Sequence, residues 1–206
     1  MLLKDIAYET IKEKILEEEY APGQFLSERN LIKELEMSKT PIKNALVRLE
    51  SERFVTVSSK QGIIVNDLSI ERINDIYNLR IALETFNCKA IYARITDEQL
   101  RELNENLKQT KIIVENLDVK AFATLDHEFH LAISEIAGNS EITRILLNYQ
   151  DHLRRITLRH FKKDPERVRK FYQEHLEIYQ ALKRNDVKCT TLMHDHLQES
   201  KSMLFQ

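Results

Sequence analysis

Glycine and proline are scarce in this chain, three of each in 206 residues, and tryptophan is absent. Gly and Pro both break helices, so long stretches without them favour a helical protein. There is no low-complexity segment and no internal repeat, and 42% hydrophobic residues are enough for a sizeable core, so the composition excludes a disordered chain. Cysteine is confined to Cys88 and Cys189, too far apart to form a metal or redox motif, and two buried, reduced thiols are expected. No apolar run approaches the roughly 18 residues that span a bilayer. The opening MLLKDIAYETIKEK mixes charges into its apolar residues, unlike a secretory signal. These absences predict a soluble, cytoplasmic protein with no membrane partner. Strong net charge is lacking too, at −2 with a pI near 6.4. Any nucleic-acid site must therefore arise from local segregation of charge.

The stretch SERNLIKELEMSKTPIKNALVRLESER, Ser27 to Arg53, reads as two short helices joined by a tight turn. Ser27 caps the first, with Leu31, Ile32 and Leu35 facing inward. Ser38 caps the second, and Pro41 falls in its first turn, where the missing N–H costs nothing. Ile42, Ala45, Leu46 and Leu49 form the inner stripe, leaving Lys39, Lys43 and Arg48 outside. That is the layout of a helix-turn-helix, whose second helix enters the DNA major groove. A helix from about Leu3 to Glu18 precedes it and ends at Ala21-Pro22-Gly23. Behind it, Phe54–Val57 and Ile63–Val65 flank a polar tip with Gly62 and predict a β-hairpin, which in this position is a wing. A generic trihelical module with solvated charges remains the alternative.

From 69 to 206 the chain reads as about six helices joined by short connections, an antiparallel all-α bundle. Ser69 opens the first, to about Arg94. Thr96 and Gln99 form a capping box for the second, to about Asn116. Asp118 opens the third, which stops at Ala137-Gly138-Asn139. The fourth runs from Asn139 or Ser140 to about Lys162. Asp164-Pro165 starts the fifth, which ends at Asn185, and Asp186 caps the sixth. The fold class is thus mainly α, with residues 1–68 a winged helix-turn-helix and 69–206 a helical, ligand-binding and dimerising domain.

Polar residues interrupt the apolar stripes of this second part. Asp126 and His130, four apart, lie within the stripe of Phe122, Leu125, Phe129, Ile133 and Ile136. His175 sits among Phe171, Leu176, Tyr179 and Leu182, and His196 between Met193 and Leu197. His127 and His194 fall off their stripes and are expected to be exposed. A buried carboxylate is costly unless paired or metal-bound. One carboxylate and three imidazoles converging from three helices suit Zn²⁺, Ni²⁺ or another first-row ion. Independently satisfied core histidines are the alternative. Arg80 shares a face with Ile73, Ile76, Tyr77 and Glu84, and either clamps a carboxylate ligand or pairs with Glu84. Arg154, Arg155 and Arg159 are further candidates for that clamp.

The first 68 residues resemble the winged helix-turn-helix of the GntR family of bacterial transcription regulators, through APGQFLSERNLIKEL, MSKTPIKNALVRLESERFV and QGIIV. The resemblance puts Arg29, Ser38, Lys39, Thr40 and Lys43 at DNA, with Gln61 and Gly62 at the wing tip. It also shows departures. Lys39 and Lys43 stand where the family has arginine, so phosphate anchoring is expected and base preference is open. Glu36 and Arg53 stand where glycines are common, which predicts left-handed backbone at both. The remainder resembles the FCD ligand-binding domain of the FadR-type branch, through LRIALE, DHEFHLAISEIAGN, HLEIYQAL and MHDHL. That resemblance implies a divalent metal on Asp126, His130, His175 and His196, with small organic acids bound in the same cavity. The interval between His175 and His196 is one residue short of the family's, which leaves His194 as a substitute ligand unless the connection near Asn185 absorbs it.

Together these readings predict a homodimeric, effector-responsive transcription regulator on a palindromic operator, not an enzyme. Its cofactor is a divalent metal, zinc or nickel, and its effector a small carboxylate bound with Arg80. The competing readings are a metal-dependent hydrolase built on the bundle and a regulator for which the metal itself is the signal.

Overall fold

The computed structural model describes residues 2–58 and 62–203. The chain divides into two compact units, Met1–Ser69 and Ile70–Gln206. No helix among the described residues is long and apolar enough to cross a membrane.

The first unit runs α1 (Leu3–Leu16), β1 (Phe25–Leu26), α2 (Glu28–Glu34), α3 (Lys39–Ser51), β2 (Val55–Ser58) and β3 (Gly62–Val65). Ala7, Tyr8, Ile11 and Ile15 of α1 share one core with Leu31 of α2, the Ile42, Ala45, Leu46 and Leu49 face of α3, and Phe54, Ile63 and Val65. Ser27 caps α2, its hydroxyl accepting from the Asn30 amide at 3.1 Å. Ser38 occupies the N-cap of α3 with extended backbone, but its side chain makes no capping hydrogen bond.

Where two strands were expected, the sheet has three, in the order β1-β3-β2. Its third member, β1, is two residues long, pairing Phe25 with Ile64 and Leu26 with Ile63. A two-residue strand spans a single inward–outward alternation, too short to show a period. Gly62 is required at the crossing of β1 and β3. Its φ is +86°, and a Cβ there would stand 3.3 Å from the Leu26 carbonyl oxygen. Glu36 and Arg53 both adopt the left-handed backbone expected of them, with φ of 52° and 65°.

The second unit contains α4 (Ile70–Ile91), α5 (Asp97–Glu115), α6 (Val119–Ala137), α7 (Ser140–Lys163), α8 (Arg167–Lys183) and α9 (Lys188–Ser202). Thr96 and Gln99 form the full capping box on α5. Asp118 accepts from the Ala121 amide at 3.0 Å to start α6, and Gly138 closes that helix at φ 79°. Asn139 then caps α7 through the amides of Glu141 and Ile142. The start of α8 differs from the Asp164-Pro165 expectation. Asp164 ends α7, its carbonyl accepts from the Arg167 amide at 3.2 Å and its carboxylate pairs with the Arg167 side chain at 3.0 Å. Pro165 and Glu166 thereby become a turn, and the helix begins at Arg167. Asp186 still serves α9, accepting from the Lys188 amide at 2.9 Å. Asn185 turns the connection at φ 55°. Cys88 and Cys189 are both free, fully buried and adjacent, with the Cys189 sulfur 3.8 Å from the Cys88 carbonyl oxygen.

The left-handed residues give a stability test. Arg53 is exposed on a backbone that costs an L-residue about 1–2 kcal/mol. Replacement by glycine removes that strain and adds back part of it as chain entropy. Arg53→Gly is expected to raise the unfolding free energy by about 0.5–1 kcal/mol in urea titrations followed by circular dichroism, and Arg53→Val to lower it.

Candidate metal centre and nucleic-acid interface

The outer face of α3 is built by subtraction. Its apolar positions turn into the core and leave Lys39, Thr40, Lys43, Asn44, Val47 and Arg48 exposed. Arg29 on α2 and Ser38 are exposed as well, and Gly62 is exposed at the start of β3. Gln61 lies outside the described residues. The C-terminal end of α3 is anchored from beneath. The Tyr8 hydroxyl donates to Glu52 at 2.5 Å, Arg48 pairs with Glu52 at 3.0 Å, and the Arg48 guanidinium stacks 3.5 Å above the Tyr8 ring. Burial and the Glu52 hydrogen bond push the Tyr8 phenol up to about 12, so it stays a donor. Glu50 adds a tie to the wing, accepting from the Val57 amide at 2.8 Å.

In the helical unit, α6 supplies Asp126 and His130 from successive turns, α8 supplies His175 and α9 His196. All four are buried, and one ligand atom from each lies within 4.8 Å of every other. The Nε2 atom of His196 is 3.2 Å from Nε2 of His130 and 3.2 Å from Nε2 of His175. The Nε2 atom of His175 is 3.4 Å from the Asp126 carboxylate. Aromatic rings hold the imidazoles in place: Phe129 stacks on His175 at 4.4 Å, and Phe171 meets His196 edge-on at 5.2 Å.

Carboxylates stand behind two of the rings. The Nδ1 atom of His130 is 2.5 Å from Oε2 of Glu84, a close contact set off the ideal hydrogen-bond line. The Nδ1 atom of His196 meets Oε2 of Glu174 at 2.7 Å. Glu84 is held in turn by the Arg80 Nε at 2.6 Å. Burial acts to raise the Glu84 carboxyl, but Arg80 and His130 outweigh it and keep it well below the usual carboxylate range. Burial pushes Glu174 up to about 7 and raises Asp126. It lowers His130 and His175, and takes His127 and His196 down to about 3. The imidazoles are therefore neutral. With Nδ1 of His130 facing Glu84 and Nδ1 of His196 facing Glu174, the Nε2 atoms of both rings turn toward the same interior point. One oxygen and three nitrogen donors around that point fit a divalent first-row metal.

Sequence reasoning brought these four residues to one interior but did not foresee Glu174. Its signal was its place immediately before His175, at the edge of the stripe, where a carboxylate can reach the second nitrogen of a ring on the next helix. Two other histidines are settled by position. His194 is exposed and turned to Asp195 at 3.0 Å. His127 is half-buried, against the expectation of an exposed ring. It lines a pocket of about 220 Å³ together with Thr124, Leu131, Gln150 and Arg154. A second void of about 10 Å³, room for one water, shares His127, Leu131 and Gln150 with it and reaches Arg80, Glu84 and His130. The Arg80 Nη2 is buried without a hydrogen-bond partner, so the ion pair with Glu84 uses only one edge of the guanidinium.

Comparison with known proteins agrees with this architecture. Residues 3–65 match the family described as bacterial regulatory proteins, gntR family, and residues 75–199 match the FCD domain. Over 196 residues, 93% of this chain and 80% of the relative, the sequence is 31% identical to an HTH-type transcriptional regulator in an unstable DNA locus of Streptomyces ambofaciens. It is 26% identical to the HTH-type transcriptional repressor RspR of Escherichia coli strain K12, over 93% of this chain and 84% of that one. Among solved structures, McbR/YncC of E. coli shares the fold with a TM-score of 0.81 at 22% identity, covering 100% of this chain and 98% of its own. The chain thus belongs to the GntR family of DNA-binding transcription regulators, with an FCD domain following its helix-turn-helix.

Proposed function

We propose that this regulator is a cytoplasmic homodimer that binds a palindromic operator and is controlled by a small organic acid, through an FCD domain loaded with a divalent metal. The observation that carries the metal reading is the convergence of one ligand atom each from Asp126, His130, His175 and His196, all buried and within 4.8 Å of one another, with carboxylates behind two of the rings. Asp126, His130, His175 and His196 would hold Zn²⁺ or Ni²⁺, a Lewis acid able to take an effector carboxylate as a further ligand. Arg80 offers its unpartnered Nη2 beside the site, which supports the carboxylate class. The relatives' names favour a regulator over the hydrolase alternative.

At the DNA end, Lys43 is an exposed point charge near the start of α3, suited to a phosphate. A dimer would present two such helices to half-sites about 34 Å apart. Effector binding would shift DNA affinity by about 1–3 kcal/mol, the usual scale of coupling between two sites.

Four measurements test this. Metal-loaded protein should bind duplex from its own promoter region with affinity that falls steeply as salt rises. Lys43→Ala should weaken binding to all duplexes alike and reduce the salt slope by about one. Salt-independent binding, or none, overturns the DNA reading. Elemental analysis should find one metal per chain, lost in His196→Ala. Glu174→Gln should loosen the metal by about 10–100-fold in chelator competition while His175 and Asp126 stay intact. Small carboxylates should raise the melting temperature of the metal-loaded protein only.

The metal-free protein should also be acid-sensitive. A histidine whose folded pKa is depressed takes up its proton on unfolding. Stability is then intact above the unfolded value of about 6.5 and declines as pH falls toward the folded value of about 3 for His127 and His196. Glu174 and Asp126, raised in the fold, act in the opposite sense, but the five depressed histidines, His127, His130, His160, His175 and His196, outnumber them. Each neutral histidine contributes a slope of about 1.4 kcal/mol per pH unit. Denaturant titrations of chelator-treated protein at pH 7.5 and pH 5 should show the lower stability at pH 5.

A further inference from the structure

We infer that Asn44 and Val47 select the base sequence, and that they select an A·T-rich step, with adenine under the Asn44 amide and a thymine methyl against Val47. This rests on the DNA-binding reading and adds the chemistry of the operator to it.

The inference starts from which outer side chains of α3 are already engaged. Lys39 Nζ lies 3.3 Å from the Glu28 carboxylate. Arg48 is committed to Glu52 and to the Tyr8 ring. What remains is Thr40, Lys43, Asn44 and Val47, all exposed, at spacing i, i+3, i+4 and i+7. At 100° per residue these four fall on one stripe, in line with the helix axis. Homeodomain recognition helices place their base-reading side chains at this same spacing, and the one at i+4 is an asparagine on adenine.

Each residue is then read by its chemistry. The Asn44 amide makes no hydrogen bond to another described residue. Its NH2 group and carbonyl oxygen set a donor beside an acceptor, complementary to the N7 acceptor and N6 amino donor of adenine in the major groove. Val47 is 58% exposed in the middle of a helix whose other apolar side chains are buried. A β-branched residue there lowers helix propensity and gains nothing from water. Its methyl groups find a partner in the C5-methyl of thymine, which neither G nor C presents. Lys43, just before Asn44, lacks the planar fork that reads guanine and goes to phosphate. The stripe therefore contains no guanine-reading arginine and two side chains matched to A·T pairs.

The test is selection from a pool of random duplexes with the full, metal-loaded chain, followed by titration of the selected duplex. The wild type should enrich half-sites with neighbouring A·T pairs. Asn44→Ala should lose about ten-fold in preference for adenine at one position and keep the salt slope. Replacing thymine by uracil, which removes only the methyl, should weaken the wild type at one position and leave Val47→Ala unaffected. Both residues are exposed, so neither change threatens folding. Selection of G·C at these positions overturns the inference, as do preferences unchanged in both variants or a uracil penalty equal in wild type and Val47→Ala. In all of those outcomes DNA binding itself stands. Failure to enrich any duplex at low salt overturns the DNA reading together with this one.

Discussion

Glu84 is buried in the interior of the helical unit, and Arg80 and His130 hold its carboxyl well below the usual carboxylate range against the pull of burial. The side chains of this triad are all nearly inaccessible to water, at 5% for Arg80, 2% for Glu84 and 4% for His130. An ionised carboxylate stranded at such a depth costs several kcal/mol, so no member can be removed alone. The triad also determines what the site can do. Glu84 faces Nδ1 of His130 and leaves Nε2 turned inward, and Glu174 faces Nδ1 of His196 from α8 in the same way. Four helices, α4, α6, α8 and α9, are thereby tied to one small group of atoms. Small rotations of any of them would be felt by the others. Under the proposed function, that coupling is what would let ligand occupancy become a change of shape.

The N-terminal unit depends on a different kind of constraint. Its recognition helix is held by a closed core on one side and by the Tyr8, Arg48 and Glu52 cluster at its end. Two non-glycine residues, Glu36 and Arg53, accept left-handed backbone at the turn before α3 and at the turn after it. Both strained positions set the direction in which α3 leaves its neighbours. A family that usually places glycine there tolerates side chains because both are exposed, so only the backbone cost is borne.

Much of this was legible in the sequence, and the reasons are local. Capping chemistry is short-range, so Ser27, Thr96 with Gln99, Asp118, Gly138 and Asn139 marked helix ends that the structure contains. Asp126 and His130 lie four apart on one apolar stripe, and period alone turned both inward. The misreadings involve partners distant in sequence. Strand β1 exists only because β3 pairs with it across 38 residues. The turn at Asp164 is decided by Arg167, not by the proline that suggested a helix start. Cys88 and Cys189, read as separate thiols, become neighbours only when α4 packs on α9. Glu174 stands immediately before His175, but its partner His196 is on another helix, 22 residues away, so that position alone did not assign its role.

The charge of the interior also explains why effector and metal would be bound together. With its histidines neutral, the site near Arg80 holds one guanidinium against the carboxylates of Glu84 and Asp126. Burial already raises Asp126, which shows that further negative charge is resisted there. A carboxylate entering toward the free Arg80 Nη2 would add to that excess and displace nothing. A divalent ion on Asp126 and the three histidines reverses the sign of the site. The anion then meets a positive interior of low dielectric, where its attraction is strongest. On this reading Arg80 orients the effector, and the metal is what makes its charge tolerable. The void beside Arg80, with room for one water, would have to widen to admit even a small acid. The void is lined by residues of α4, α6 and α7, and α6 and α7 also line the outer pocket, so on this reading widening would shift those helices against one another as the first step of the response.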